Sequence, residues 1–305
     1  MSTDVYTILC PAKTNLALEI TAHLDDGYHE LDTIFVWLEM ADELLLAPAA
    51  ELSSLEIVDE SNSALEISTG EDNLVMRALR LLEASAGRSL PTTLRLFKKI
   101  PAGGGLGGGS GNASALLYAL NQIYQLNYSI EQLEQIGAKL GADVAFGIRG
   151  GLARGRGRGN ILEPLPPVAS HPVIVACPPV GCPTPEIYRL WDQQPYRQSP
   201  GSAAQMVDSF AKAAPGWSDW ICNDLTQAAY QFAPSLASVA QSLEVMGCSK
   251  VFLSGSGSTL IGLADESVCS TLEINSHRLD GVTYVASSLR SQGRPDWAAL
   301  NEVRS

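Results

Sequence analysis

The chain has 305 residues, a net charge of −13 and a pI near 4.7, with 46% hydrophobic and 17% charged residues. That is length for one large domain or two smaller ones with sizeable cores, and the composition excludes an unfolded polymer. The acidity leaves no basic footprint for nucleic acid, and no run of about 18 apolar residues is present to span a membrane.

In chain order, Tyr6–Cys10 reads as a short strand stopped by Pro11. Asn15–Thr21 alternates, with Leu16, Leu18 and Ile20 on one face, and Asp25-Asp26-Gly27 has the chemistry of a hairpin turn. Thr33–Leu46 continues as strand, with an acidic turn expected at Asp42-Glu43; Ser53–Ile67 reads as a polar edge strand. Asn73–Ser85 places Leu74, Ala78, Leu81 and Leu82 on one helical face, and Thr92–Lys98 is a strand closed by Pro101. Helices are expected over Gly111–Tyr124 and Ile130–Leu140, the second capped by Ser129. Gly141 to Gly159 is glycine-rich and carries Arg149, Arg154, Arg156 and Arg158, which read as a solvated face. The proline-rich run 164–172 is the expected domain boundary, giving an N-terminal domain over residues 1–165 and a C-terminal domain over residues 166–305. Beyond it come a strand at Val173–Cys177, a polar stretch at Asp192–Ser202, a helix at Leu225–Met246, a strand at Lys250–Leu253 and a surface tail from Ser287. No internal repeat is visible. Strands precede helices in the first half, which argues for an α+β fold rather than a doubly wound parallel sheet.

The six cysteines (Cys10, Cys177, Cys182, Cys222, Cys248 and Cys269) lack CxxC pairing and metal-like spacing with the four histidines. They are expected as reduced, mostly buried thiols of a cytoplasmic protein. Met1 to Lys13 has neither the basic start nor the apolar core of a signal peptide.

The strongest local signal is the run Pro101-Ala102-Gly103-Gly104-Gly105-Leu106-Gly107-Gly108-Gly109-Ser110-Gly111-Asn112, in which seven of twelve residues are glycine, set between a strand and a helix. Such a run lets successive N–H groups turn toward one anion, and the helix behind it adds unpaired donors and a positive dipole end. It lacks the Gly-Lys-Ser/Thr ending of a Walker A loop and the distant acidic residue of a dinucleotide fingerprint. The alternative, a flexible linker, is disfavoured by the periodic apolar segments on both sides.

The run from Pro101 to Ala113 resembles the phosphate loop of the GHMP kinases. Pro11-Ala12-Lys13-Thr14-Asn15-Leu16 and Leu253-Ser254-Gly255-Ser256-Gly257-Ser258-Thr259 match two other landmarks of that family in order. Asp26-Gly27-Tyr28-His29-Glu30-Leu31-Asp32-Thr33, Gly141-Ala142-Asp143-Val144, Glu71-Asp72-Asn73-Leu74-Val75, Pro183-Thr184 with Tyr188, and Asn223-Asp224-Leu225 narrow it to a branch acting on a cytidine diphosphate-linked polyol. The resemblance runs from residue 11 to about 263, with three departures: Ala145 where proline is usual, Asn160 where glutamate is usual, and Gly111 where serine is common.

The resemblance implies a two-domain GHMP kinase fold with the active site in the interdomain cleft, and ATP with Mg²⁺ as phosphoryl donor. Lys13 and Asp143 are implied as the catalytic pair. Asp143 lies in an apolar stretch where a lone carboxylate is costly, and an ammonium favours its charged form; the alternative is a buried structural ion pair. ATP is expected at Asn73, Lys99, Pro101, Gly103, Gly104, Gly105, Leu106, Gly107, Gly108, Gly109, Ser110 and Asn112. The small-molecule substrate is expected at Asn15, Tyr28, His29, Thr184, Tyr188, Gly255, Ser256 and Gly257, with the rings of Tyr28 and Tyr188 stacking on the base. Residue type alone favours ordinary structural roles for Tyr28 and His29; the whole Asp-Gly-Tyr-His pattern favours binding. No dedicated metal ligands are visible, and no nucleic acid or membrane partner is expected of what is read as a monomer or homodimer. Two other readings remain: a GHMP kinase for a sugar, homoserine or mevalonate-type alcohol, and a non-catalytic nucleotide-binding relative, which the presence of both Lys13 and Asp143 disfavours.

Overall fold

A long antiparallel ribbon organises the molecule. In the computed structural model, which describes residues 4–61, 65–195, 201–274, 278–279, 281–292 and 301–303, strand β1 (Val5–His23) pairs with β2 (His29–Pro48) around a turn at Asp25-Asp26-Gly27. The ribbon runs through Pro11, where a strand end was expected. The register shifts between Pro11 and Lys13, so the missing proline N–H falls at a bulge and the strand carries on past it. The same irregularity sets the orientation of Lys13.

Nor does Asp42-Glu43 form a turn. Asp42 is fully buried in mid-strand, where the ammonium of Lys98, the amide of Asn112 and the backbone N–H groups of Lys99 and Ile100 all bond its carboxylate. A buried acid that is fully partnered needs no turn to reach water.

β3 (Ser54–Asp59) forms the expected edge, parallel to β4 (Thr92–Lys98), and β4 pairs with the far end of β2. Helix α1 (Leu74–Ala86) starts at Asn73, whose Oδ1 accepts from Val75 N at 2.9 Å, and ends at Gly87 in the left-handed region. α2 (Gly108–Ile123) begins three residues earlier than its apolar stripe implies, because the glycines themselves enter the helix. α3 (Ile130–Ala138) carries a full capping box between Ser129 and Gln132.

The glycine-rich segment that follows holds elements without a sequence signature. These are α4 (Ala142–Arg149), started by Gly141 with no side-chain cap, then β5 (Leu152–Gly157) and β6 (Ile161–Pro164). β5 pairs with the near half of β2. Three of its arginines are tied down: Arg149 to Glu134, Arg154 bidentate to Asp32, and Arg156 to Glu163.

The remaining elements are β7 (His171–Cys177), α5 (Thr184–Asp192), α6 (Ser202–Ala211), β8 (Cys222–Asn223), α7 (Thr226–Phe232), α8 (Ser235–Val245), β9 (Lys250–Leu253), β10 (Leu260–Leu263), α9 (Glu266–Ile274), β11 (Arg278–Leu279), β12 (Val282–Arg290) and β13 (Asn301–Val303). The sheet runs β13-β1-β2-β12-β7-β10-β9, antiparallel at every step. This is the expected α+β arrangement. Of the polar stretch 192–202, residues 196–200 lie outside the described residues, and its end opens α6, where the buried carboxylate of Glu19 accepts from Ser202 N and Ala203 N at 2.9 Å each. The helix read over 225–246 divides at Pro234, whose ring keeps Ala233 out of the helical conformation (φ −131°, ψ 85°). Of the expected surface tail, residues 287–290 belong instead to β12, where Leu289 is buried and pairs with Leu38, while residues 293–300 and 304–305 lie outside the described residues.

Helices α1 to α4 bury Leu79, Leu82, Leu116, Leu120 and Phe146 against Leu44, Leu46, Leu94 and Leu96 of β2 and β4. A second core joins α6 to β1, β2 and β7; a third packs α5, α7 and α8 on β7, β9 and β10. Burying each large aliphatic side chain contributes about 1.5–3 kcal/mol. These cores hold rigid the strand ends and loops that meet at one cavity.

Candidate active site

The glycine loop, the β1 bulge, the start of α4 and the start of α5 converge on a cavity of about 510 Å³. Its floor is the loop itself. Gly103, Gly105 and Gly107 have φ of 71°, 79° and 64°, and α2 follows directly with its N-terminus at Gly108. Backbone donors and the positive end of a helix dipole therefore face the space, as an anion site requires. Pro101, Gly103, Gly104, Gly105, Leu106, Gly107, Gly108, Gly109, Ser110 and Asn112 all line it.

The loop is held from both sides. Lys13 N donates to Leu106 O at 2.9 Å on the β1 side. On the other, Thr259 N donates to Gly104 O at 3.1 Å and Ser254 Oγ to Gly105 O at 3.0 Å, so the late glycine turn braces the early one. Asn223 in turn clamps the late turn, donating to Leu253 O and Gly255 O at 2.9 and 2.8 Å. The fit is close: a Cβ on Gly105 would stand 2.1 Å from Ser254 O, and one on Gly111 2.6 Å from Pro11 O, so the serine common there has no room in this chain.

Above the loop, Lys13 Nζ lies 3.2 Å from Asp143 Oδ2 and donates to Asn15 Oδ1 at 3.0 Å. Asn15 Nδ2 passes the chain to Thr33 Oγ1 at 2.7 Å, and Thr33 to Ala17 O at 2.6 Å. The side chain of Lys13 is 9% exposed and that of Asp143 33%, so the ammonium is anchored while the carboxylate opens into the cavity. Asp143 sits in the first turn of α4, where the helix dipole favours a negative charge. Phe35 closes the underside, its ring 5.4 Å from Lys13 Nζ and stacked on Phe146 at 4.9 Å. Ala145 completes α4 by donating to Gly141 O at 3.3 Å, a bond the proline usual at this position cannot make.

At the far end, Thr184 Oγ1 meets Ser256 Oγ at 2.9 Å, and both residues line the cavity with Gly255. Tyr188 lines it too. Burial, reinforced by the carboxylates of Asp143 and Asp224, pushes its phenol well above the ordinary range, which keeps the ring neutral. The His29 ring lies 4.7 Å from that of Tyr188, and its Nε2 is 2.7 Å from Asp192 Oδ1.

Four expected residues are not among those lining the cavity. Tyr28 is 58% exposed under the Arg158 guanidinium, 3.9 Å from its ring; His29 stands behind Tyr188; Gly257 faces Leu253 and Cys182. The Lys99 side chain is exposed, and only its backbone N–H acts inward, on Asp42. Its neighbour Lys98 is the one inside, bonded to Asp42 and, at 3.2 Å, to Asn112 Oδ1. Alternation along Thr92, Leu94 and Leu96 carried that signal: it puts Lys98 on the buried face and Lys99 on the outer one. Arg158, read from sequence as solvated, lines the cavity and pairs with Asp26; no periodicity distinguishes it from its neighbours. Asn73 lines the opposite end, with both side-chain polar atoms engaged, on Val75 N and Ser68 O.

The arrangement offers an anion cradle, a cation and a carboxylate in contact, and an aromatic and imidazole wall beyond them. Comparison with known proteins agrees. Residues 73–153 match the family model described as the GHMP kinases N terminal domain. The chain is 34% identical to the 4-diphosphocytidyl-2-C-methyl-D-erythritol kinase of Heliobacterium modesticaldum over 84% of its own length and 85% of the relative's. It is 32% identical to that of Rhodococcus jostii over 91% and 94%. A crystal structure of 4-(cytidine 5'-diphospho)-2C-methyl-D-erythritol kinase superposes with a TM-score of 0.74 at 31% identity, covering 94% of this chain and 100% of that one. The homoserine kinase of Cytophaga hutchinsonii, at 17% identity and a TM-score of 0.74, shares the fold over 96% and 97% of the two chains. The chain belongs to the GHMP kinases, in the 4-diphosphocytidyl-2-C-methyl-D-erythritol kinase family.

Proposed function

We propose that this kinase transfers the γ-phosphoryl group of ATP to the 2-hydroxyl of 4-diphosphocytidyl-2-C-methyl-D-erythritol, a step of the non-mevalonate route to isoprenoid precursors, in the cytoplasm. The observation that carries the reading is the Lys13–Asp143 contact of 3.2 Å inside the same cavity as the glycine loop.

The Asp143 carboxylate takes the proton of the substrate hydroxyl as its oxygen attacks the γ-phosphorus. The bond from that phosphorus to the β-phosphate oxygen breaks, and ADP leaves. Lys13 holds Asp143 in place and stabilises negative charge on the attacking oxygen, while Asn15 fixes the Lys13 ammonium from the other side. The loop N–H groups and the α2 N-terminus carry the charge of the phosphates. Mg²⁺ accompanying ATP would offset the charge of the phosphates, and Ser110 Oγ, which lines the cavity, would be an oxygen donor of the kind this cation takes. Tyr188 holds the cytosine end, backed by His29, with Tyr28 and Arg158 at its margin. The chain divides at 165/166 into an ATP-binding domain and a domain that supplies Thr184, Tyr188 and the late glycine turn.

The test is ADP release with ATP, Mg²⁺ and either the full cytidylyl compound or the same polyol phosphate lacking its cytidylyl half. Turnover of the full compound alone is expected. Equal turnover of both removes the base-reading role, and turnover of neither moves the substrate to another alcohol.

A further inference from the structure

The tip of the β1–β2 ribbon carries a second cluster. His23 and His29 are direct register partners, the last and first residues of their strands, so their imidazoles project from the same face of the ribbon with ring centroids 4.6 Å apart. Asp192, which ends α5, reaches across to them. Its Oδ1 lies 2.7 Å from His29 Nε2 and 3.6 Å from His23 Nε2. One nitrogen from each histidine and one carboxylate oxygen all lie within 4.8 Å of one another, the one such grouping among the described residues. The Trp191 ring, 5.5 Å from both imidazoles, walls the cluster.

A carboxylate that only orients His29 needs no second imidazole. Two imidazoles and a carboxylate gathered within 4.8 Å of one another are the donor set of a zinc-type ion. With metal–ligand distances of about 2.0–2.2 Å, tetrahedral ligand atoms stand about 3.3 Å apart. The 3.6 Å edge already fits, and the 2.7 Å edge opens by well under 1 Å. Imidazole ligands disfavour Mg²⁺, so the cluster is chemically separate from the cation that accompanies ATP.

We propose that His23, His29 and Asp192 form a binding site for a divalent transition metal of the Zn²⁺ class, with its remaining position open to solvent. Filling it draws the His29 ring toward the metal and away from Tyr188, which it backs at 4.7 Å, and so shifts the ring at the nucleotide end of the substrate; this consequence, unlike the site itself, rests on the kinase reading. Zinc then acts as a competitive inhibitor with respect to the cytidylyl substrate.

The experiment uses the full chain without an affinity tag, treated with chelator and dialysed. Co²⁺ is titrated by its visible absorption, with Zn²⁺ as displacing ion. One Co²⁺ per chain is expected, and His23→Asn, an exposed change at the ribbon tip, weakens binding by more than the ~10–100-fold that loss of an outer-shell partner costs. Asp192→Asn weakens it comparably. A titration unchanged by His23→Asn, an absence of cobalt absorption, or a thiolate charge-transfer band overturns the site. In turnover assays with Mg²⁺, added Zn²⁺ raises the KM for the cytidylyl substrate in the native chain and loses that effect in His23→Asn. Cobalt is read without nucleotide, so absent turnover in Mg²⁺ alone counts against the kinase reading and leaves the metal result standing.

Discussion

Lys13 and Asp143 meet at 3.2 Å across the face of Gly107, whose absent side chain makes the meeting possible: a Cβ there would stand 2.8 Å from Lys13 Cγ and 3.5 Å from Asp143 Oδ2. The phosphate loop and the ion pair are one packed unit. If the pair performs proton removal and charge stabilisation, Asp143→Asn lowers kcat by about 10²–10⁴-fold. ATP affinity and melting temperature stay near native. Single-turnover kinetics beside calorimetric ATP binding check this, and near-native turnover in the variant would refute the assignment.

Tyr188 faces the cavity with a neutral ring, against His29. Removing a base-stacking ring costs about 1–3 kcal/mol, so Tyr188→Ala raises the KM for the cytidylyl substrate about 5- to 150-fold. The KM for ATP stays constant. Steady-state kinetics with each substrate varied in turn separate the two; an equal rise in both places the ring elsewhere in the reaction.

Gly105 and Gly109 stand four residues apart and predict opposite outcomes. Gly105 has φ of 79° and no space for a Cβ, whereas Gly109 lies within α2 with nothing within 4 Å. Gly105→Ala is expected to lower the melting temperature and abolish ATP binding, because the late glycine turn must move. Gly109→Ala leaves stability unchanged or raises it by about 0.5–1 kcal/mol. Thermal unfolding of the two variants is the measurement.

Asp42 and Lys98 are buried together, at 0% and 4% side-chain exposure. Asp42→Ala strands the ammonium, a loss of about 3–5 kcal/mol. Urea unfolding reads this directly, and a change under about 1 kcal/mol would mean that Lys98 finds water in the variant.

Burial pushes the thiols of Cys177, Cys182, Cys222 and Cys248 to about 11 from an ordinary 9.0. The folded chain thus keeps protons that the unfolded chain sheds. Their stabilising effect is complete below about pH 9 and is lost as pH rises toward 11, at up to about 1.4 kcal/mol per unit for each thiol. Unfolding free energies at pH 8 and pH 10 test the direction, and at pH 7 these four thiols resist a disulfide reagent until denaturant is added.

Six of the described strands, β1 to β4, β7 and β9, were legible as apolar or alternating runs, and β4 falls on the expected residues, whereas β5, β6, β8 and β10 to β13 carried no such signal. What escaped depends on partners far along the chain. Asp42 reads as a turn residue until Lys98 and Asn112, 56 and 70 positions away, are seen to enclose it. Pro11 reads as a terminator until the bulge accommodates it. α4 escaped for another reason: an eight-residue helix started by glycine has neither a cap nor two full turns of apolar stripe to announce it. Within the cavity, Asn15 stood out because the motif pattern marks it, while Arg158 and Phe35 are placed by the path of β5 and the width of β2, which no local pattern encodes.

The bond from Ser254 to Gly105 spans 149 residues of chain. On the ribosome, therefore, the glycine loop emerges long before the turn that braces it. A nascent chain halted before residue 254 has its first ribbon and the helices behind it, yet its glycine loop lacks one of its two walls. The packing of the glycine loop in this way waits on synthesis of the late turn.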